Sequence, residues 1–196
     1  MLKEILDRRS IRKFQDSPVP KAMVEEILRA GLLAPSSKNR QPWKFLVVSG
    51  SAKDEMISVL NEGLSREQES PLLPESGRYL AGAEQTFRIM DQAPIVILIV
   101  NLLGSGLHRA LPPEERVYEI CNAQSIGAAI ENMALQAAAL GLGSLWICDT
   151  YFSHQELCGW LNGEGEPFAA LALGFPAESP SARPRKELKE AVEWRE

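Results

Sequence analysis

The chain has 196 residues, 45% of them hydrophobic and 24% charged, enough for one sizeable core and little more. Its net charge of -5 and pI near 5.3 exclude a general binder of nucleic-acid backbones, which needs a basic face. They leave room for a local basic pocket. Cys121, Cys148 and Cys158 form no CxxC pair, and His108 and His154 lack ligand spacing. This set suits reduced thiols in the cytoplasm and argues against both a disulfide framework and a metal site. The longest apolar run, 93–103, is about half the ~20 residues of a membrane helix, and the acidic N-terminal stretch does not support a signal peptide.

Leu2, Ile5 and Leu6 are spaced for one short helix stopping near Arg8 and Arg9. Residues 10–14 read as a basic extended segment, and 16–20 as a turn. A helix opens at Pro20 or Lys21 and runs through Leu33. Residues 34–42 form a polar loop punctuated by two prolines. Residues 43–49 read as a strand, and Ser51 caps a helix to about Asn61. From 62 to 82 the periodicity weakens, which reads as a variable excursion or lid, and 83–90 is helical. Residues 94–101 are apolar enough for a strand buried on both faces. After a loop at 102–113, Glu114 starts the approach to the central element.

That element is 122–140. Ile126, Ala129, Ile130, Met133, Ala134, Ala137 and Leu140 repeat at helical spacing, and Ala128 and Ala138 keep the remaining faces small. A helix apolar around most of its circumference belongs in a core or at a subunit boundary. Ala128, Ala129 and Ala138 would let a partner helix come close. Gly141 and Gly143 end the helix, and 145–148 follows as a short buried strand. Ser153 caps a helix to Leu161, and 167–173 is another buried strand. A polar Pro/Ser loop and the basic residues Arg183, Arg185 and Lys186 precede a short tail. No repeat or linker interrupts 1–196, so the expectation is a single domain of α+β class, a small central mixed or antiparallel sheet flanked by helices.

No Ser-His-Asp arrangement, GxGxxG after the first strand, or P-loop is present. Glu131 stands mid-helix and reads either as a buried base or as a satisfied surface or interface group. The lack of an acid–base or nucleophile set suggests that a cofactor supplies the reactivity. Three segments suit binding a phosphorylated heterocycle. Arg8, Arg9, Ser10 and Arg12 offer guanidinium forks and a hydroxyl for a phosphate. Ser36, Ser37 and Asn39 lie in a loop rich in hydroxyls and amides, suited to the edge of a planar ring. Arg183 and Arg185 flank a proline that keeps their backbone extended.

Taken together, RRSIRKF, APSSKNRQPWKF, ALGLGSLWI and GFPAESPSARPRK resemble the nitroreductase family in motif and in order, over nearly the whole length. The resemblance implies a nitroreductase-like fold with its central helix at a homodimer interface. It also implies two FMN sites, each built by both chains. On that basis Arg8, Arg9 and Ser10 match positions at the FMN phosphate and ribityl chain, with Arg183 and Arg185 also on the phosphate. Arg12 matches a basic position near the pyrimidine edge that tunes the flavin. Ser36, Ser37 and Asn39 match a loop reaching the flavin of the second subunit. Ile147, Cys148 and Asp149 match the strand end that bonds toward flavin N5; many relatives carry glycine where Cys148 stands. The implied activity is ping-pong transfer of hydride or electrons from NADH or NADPH to a small acceptor such as a nitroaromatic or quinone. No nucleic acid or membrane is implicated. Reductive dehalogenation, flavin fragmentation and azoline dehydrogenation occur among relatives, so these chemistries stay open. Further alternatives are a flavin store or sensor without turnover, and a structural dimer without cofactor.

Overall fold

A computed structural model describes residues 1–72 and 75–196. In chain order the elements are α1 (Lys3–Asp7), α2 (Lys21–Leu32), β1 (Trp43–Val48), α3 (Gly50–Glu69), α4 (Leu80–Gln92), β2 (Ile95–Asn101), α5 (Pro113–Ala139), β3 (Gly143–Ile147), α6 (His154–Trp160), β4 (Glu166–Gly174) and α7 (Leu188–Ala191). The four strands form one sheet in the order β1-β2-β4-β3, and every pairing is antiparallel. This is the α+β arrangement expected, in its antiparallel form. Among the described residues, no helix is long and apolar enough to cross a membrane.

Alternation along the strands divides the core into two layers. Ile95, Ile97 and Ile99 of β2, with Leu171 and Leu173 of β4, face α2 and α5. Val96, Leu98 and Val100, with Ala170, Ala172, Leu145 and Ile147, face α3, α4 and α6. β2 is buried along its whole length, which explains its unbroken run of β-branched and leucine side chains. A register shift between Ile99 and Val100 marks a bulge in the β2–β4 ladder, beyond which Asn101 pairs with Glu166.

The central helix is longer than the sequence pattern suggests, since α5 begins at Pro113. It lies on the sheet through Ile126, Ala129, Ile130, Met133 and Ala137, all of them inaccessible. Ala129 therefore belongs to the core of its own chain and cannot be a contact point for a partner helix. A charge there would enter the sheet–helix layer. The helical period alone identified an apolar face without saying which surface would cover it. Gly141 ends the helix with φ +75°, but Gly143 is already the first residue of β3.

The stretch 62–82 is not an irregular excursion throughout. α3 continues to Glu69, and a 3-10 turn at Ser76–Tyr79 leads into α4. Positions 73 and 74 of the expected lid lie outside the described residues. The inward positions of the extra helical turns are Gly63, Leu64 and Glu67. A glycine and a carboxylate on the inner face conceal the apolar period. Two expected caps also differ. α3 starts before Ser51, and the Ser153 hydroxyl donates to the Leu60 carbonyl at 2.6 Å, tying α6 to α3.

Arg66 strengthens the same junction. Its guanidinium holds Glu156 through two bonds of 2.8 and 3.1 Å, donates to the Phe152 carbonyl, and pairs with buried Glu67. The hydrogen bonds from Arg66 hold the Glu156 carboxyl below its ordinary value, against the opposing effect of burial. A carboxylate with a lowered folded-state pKa contributes stability that is present above its unfolded pKa and lost as pH falls through the folded value. Arg66→Met leaves carboxylates without their cation and should cost on the order of 3 kcal/mol at neutral pH. The melting-temperature gap between wild type and variant should narrow below about pH 4, where the unfolded-state carboxylate protonates. Melting curves across pH check this, and a gap independent of pH would remove the electrostatic account.

Candidate functional site

The N-terminal basic segment is held as a short added edge on the sheet. Ser10 bridges Ser144 at the start of β3, and the Ile11 N–H donates to the Ser144 carbonyl at 3.0 Å. A side chain at Gly143 would collide with Ile11, its Cβ falling 2.8 Å from Ile11 carbons, so the close approach needs glycine there. Further along, Gln15 donates to the Phe175 carbonyl and Ala177 to that of Lys13, at 2.8 and 2.9 Å. Glu178 completes the junction by accepting from the backbone N–H groups of Arg12 and Lys13, at 2.5 and 3.2 Å.

These contacts bring together basic residues separated by most of the sequence. Arg8, Arg9, Ser10 and Arg12 face Arg183 and Arg185 across a cleft of about 410 Å³. Pro180, Ser181 and Ala182 form part of its wall, and its described lining contains no carboxylate. A smaller space of about 210 Å³ adjoins it through Arg8 and Arg9 and reaches Ser144. Arg183 and Arg185 are exposed, and Arg185 donates to the backbone carbonyls of Arg183 and Pro184. Arg8 is more engaged, its Nε lying 3.3 Å from Glu131 on α5. Glu131 is thus a satisfied group bracing α1 against α5, the second of the two readings open for it. Arg12 lines the same cleft as the other cations, its backbone fixed by Glu178.

The expected ring-contacting loop stands elsewhere. Ser36, Ser37 and Asn39 are not in the lining of the basic cleft of their own chain. The Ser37 N–H donates to Ser125 Oγ of α5 at 3.1 Å, Ser36 Oγ accepts from the Gln41 N–H, and Asn39 Oδ1 accepts from Gln41 Nε2. Lys38, Asn39 and Gln41 all adopt φ near +50°, a costly conformation for side-chain-bearing residues. The loop's rigidity thus comes from these bonds more than from its prolines. Arg40 stacks on Tyr118 of α5, 4.3 Å from the ring centroid.

Ile147, Cys148 and Asp149 occupy the far end of β3 from Ser144. Three residues, Leu145 to Ile147, separate Ser144 from Cys148, so four steps of extended chain span roughly 13 Å. Ile147 is buried, Cys148 is exposed, and Asp149 opens a 3-10 turn at Asp149–Ser153. The Cys148 thiol is pushed above its ordinary value by partial burial and then by Asp149, which disfavours the reactive thiolate at neutral pH. Glu178, Tyr118 and Ser125 were not singled out from the sequence. Glu178 lies within the quoted GFPAESPSARPRK motif, and its role becomes readable only when the two ends of the chain meet.

A family model for the Nitroreductase family matches residues 5–175. A protein of Methanothermobacter thermautotrophicus, provisionally named NADH dehydrogenase/NAD(P)H nitroreductase, is 30% identical over 93% of this chain and 81% of its own. A BluB-like flavoprotein of Clostridium difficile 630 shares the fold with a TM-score of 0.81 at 25% identity, over 98% of this chain and 97% of its own. A Desulfovibrio desulfuricans structure, provisionally described as a nitroreductase in complex with FMN, has a TM-score of 0.72 at 29% identity, over 99% and 95%. The chain belongs to the nitroreductase family.

Glu178→Ala should loosen the basic segment from the C-terminal wall, because two backbone amides lose their acceptor. Amide hydrogen exchange at Arg12 and Lys13 should accelerate by at least about tenfold, while β2 keeps its protection. Unchanged exchange at those two amides would show that Glu178 does not hold the cleft together.

Proposed function

We propose that this protein is an FMN-dependent oxidoreductase that carries reducing equivalents from NADH or NADPH to an electron-poor acceptor such as a nitroaromatic or a quinone. The observation carrying this reading is the cleft in which five arginines and Ser10 converge without a carboxylate in its described lining. That donor set fits a phosphate monoester, which accepts bidentate guanidinium bonds. When bound, FMN supplies the hydride chemistry. Arg9, Ser10, Arg183 and Arg185 are the groups to hold its phosphate, with Arg8 shared between phosphate and Glu131. Arg12 is the candidate for tuning the flavin by its charge. In this reading the phosphate would lie at the Ser144 end of β3, and the backbone at 147–149 would supply hydrogen bonds to the ring.

Each charge-assisted bond to phosphate contributes about 1.5–3 kcal/mol. Arg183→Ala combined with Arg185→Ala should therefore weaken FMN binding at least about tenfold and leave the fold intact. The wild-type absorbance spectrum should show bound flavin, bleached anaerobically by NAD(P)H and restored by the acceptor, and the flavin released by heat should prove to be FMN and not FAD. Flavin that binds without being bleached would instead indicate a store or sensor. Unchanged affinity in the double variant would reduce the arginine pair to a tail.

The reading includes a homodimer with each flavin site shared between chains. Support comes from the loop 36–39, which stands outside its own chain's cleft, and from the apolar residues Val117 and Ile120 exposed on α5. Ile120 is the better interface probe than Ala129 because it is half exposed and can change without entering the core. A charge buried unpaired at an interface costs several kcal/mol, so Ile120→Glu should yield a folded monomer that has lost FMN. Size-exclusion chromatography read at flavin and protein wavelengths decides this, and a monomer with its full flavin complement would exclude the shared site.

A further inference from the structure

A second group of ionisable side chains gathers where β2, β3 and β4 end. The bulge in the β2–β4 ladder sets Glu166 opposite Asn101. The Glu166 carboxylate lies 3.7 Å from His154 Nε2, and the Gly106 backbone hydrogen bonds to it. Tyr151 and Glu119 share with them a cavity of about 110 Å³. Several waters fit in such a polar space, but a small-molecule ligand, which occupies roughly 300 Å³ or more, does not. Closing this end of the sheet with apolar side chains would avoid the cost of covering polar groups. A cluster of ionisable groups around a cavity of this size instead suits proton storage and transfer.

Tyr151 connects this cavity to the ring end of β3. It is one turn from Cys148, its N–H directed at the Cys148 carbonyl at 3.5 Å. Burial, and then the neighbouring Cys148, Glu166 and Glu119, push its phenol above the ordinary value, so it keeps its proton at neutral pH. Glu166 is held above the usual carboxylate range, mainly by burial. His154 is lowered by burial and by His108, whose ring stands edge-on to it, while Glu156 acts in the opposite direction. Cys158 Sγ is 3.7 Å from His154 Nδ1. Arg116 is a further charge lining the cavity.

We propose that Tyr151 is the proton donor to the acceptor, and that Glu166 and His154, through the water-sized cavity behind it, return the proton. The inference rests on the oxidoreductase reading above. A quinone that receives a hydride, drawn ultimately from NAD(P)H, needs one proton on oxygen to become a hydroquinone. The Tyr151 O–H bond breaks, its proton forms the new O–H bond, and the phenolate takes a proton from Glu166. His154 and the cavity water pass the replacement in from solvent. Tyr151 touches the acceptor, whereas Glu166 and His154 act through it.

The test compares a quinone, which requires a proton, with ferricyanide, which accepts electrons alone. In Tyr151→Phe the ratio of quinone to ferricyanide turnover should fall on the order of 100-fold, the scale of general-acid catalysis. The solvent deuterium isotope effect on quinone reduction should change with it. Glu166→Gln should lower the ratio less and shift its pH profile, and Glu166→Asp should recover part of the loss. Tyrosinate absorbance gives a readout independent of turnover. The ionisation missing from Tyr151→Phe should move to lower pH in Glu166→Gln, because a neighbouring negative charge is gone. An unchanged ratio in Tyr151→Phe, an equal fall with both acceptors, or an unmoved tyrosine titration would overturn the proposal. A wild-type protein that binds no FMN, or whose flavin NAD(P)H does not bleach, would overturn the oxidoreductase reading instead, and the tyrosine titration would still test the coupling.

Discussion

The basic cleft depends on a backbone contact at the margin of the sheet. Ile11 seats on Gly143 and bonds Ser144, which fixes the direction of the chain on either side of it. Residues before it project Arg8 and Arg9, and residues after it run beside 175–177, where the chain turns toward Arg183 and Arg185. Guanidinium groups repel one another, and nothing in their own chemistry would gather five of them. The assembly is enforced by neutral backbone hydrogen bonds and by Glu178, which accepts from the amides of Arg12 and Lys13.

The same strand explains why the two halves of the candidate site are separate features. Ser144 lies near the start of β3 and Cys148 just past its end, so the arginine cleft and the backbone at 147–149 are related by an extended segment. The loop 36–39 answers to different constraints. It is clipped to α5 through Ser125 and stacked there through Arg40 on Tyr118, away from its own chain's arginines. Its strained backbone is over-determined by side-chain bonds, which is the condition under which positive φ persists at non-glycine residues.

Much of this was legible from residue order. β1 and β2 announce themselves through β-branched residues, β4 through its apolar run, and the basic segments through composition. The matching motifs assigned the family correctly because they carry the contacts just described. The misreadings have particular causes. α3 was cut short because Gly63 and Glu67 occupy its inward positions, and a buried carboxylate looks like a surface residue until its partner, Arg66, is known. Ala129 suits a subunit boundary by sequence because an alanine face fits a sheet as well as a helix, and the structure buries it on the sheet. Glu166, His154 and Tyr151 went unnoticed as a group because their proximity depends on three strand ends meeting, which no spacing in the sequence encodes.

The bulge in β4 has an effect beyond local shape. Strict alternation from Ala170 and Ala172 would send Glu166 into the greasy layer beneath α3 and α4. Because the count slips by one, Phe168 joins the α5 layer with Ala169, and Glu166 comes opposite Asn101. The extra residue thus works like a frameshift within the sheet, exchanging which side of the ladder every upstream side chain occupies. Length here is coupled to chemistry. Surface loops can gain or lose residues with little effect, whereas this segment is pinned in number, since a one-residue change alters whether an acid meets water or hydrocarbon.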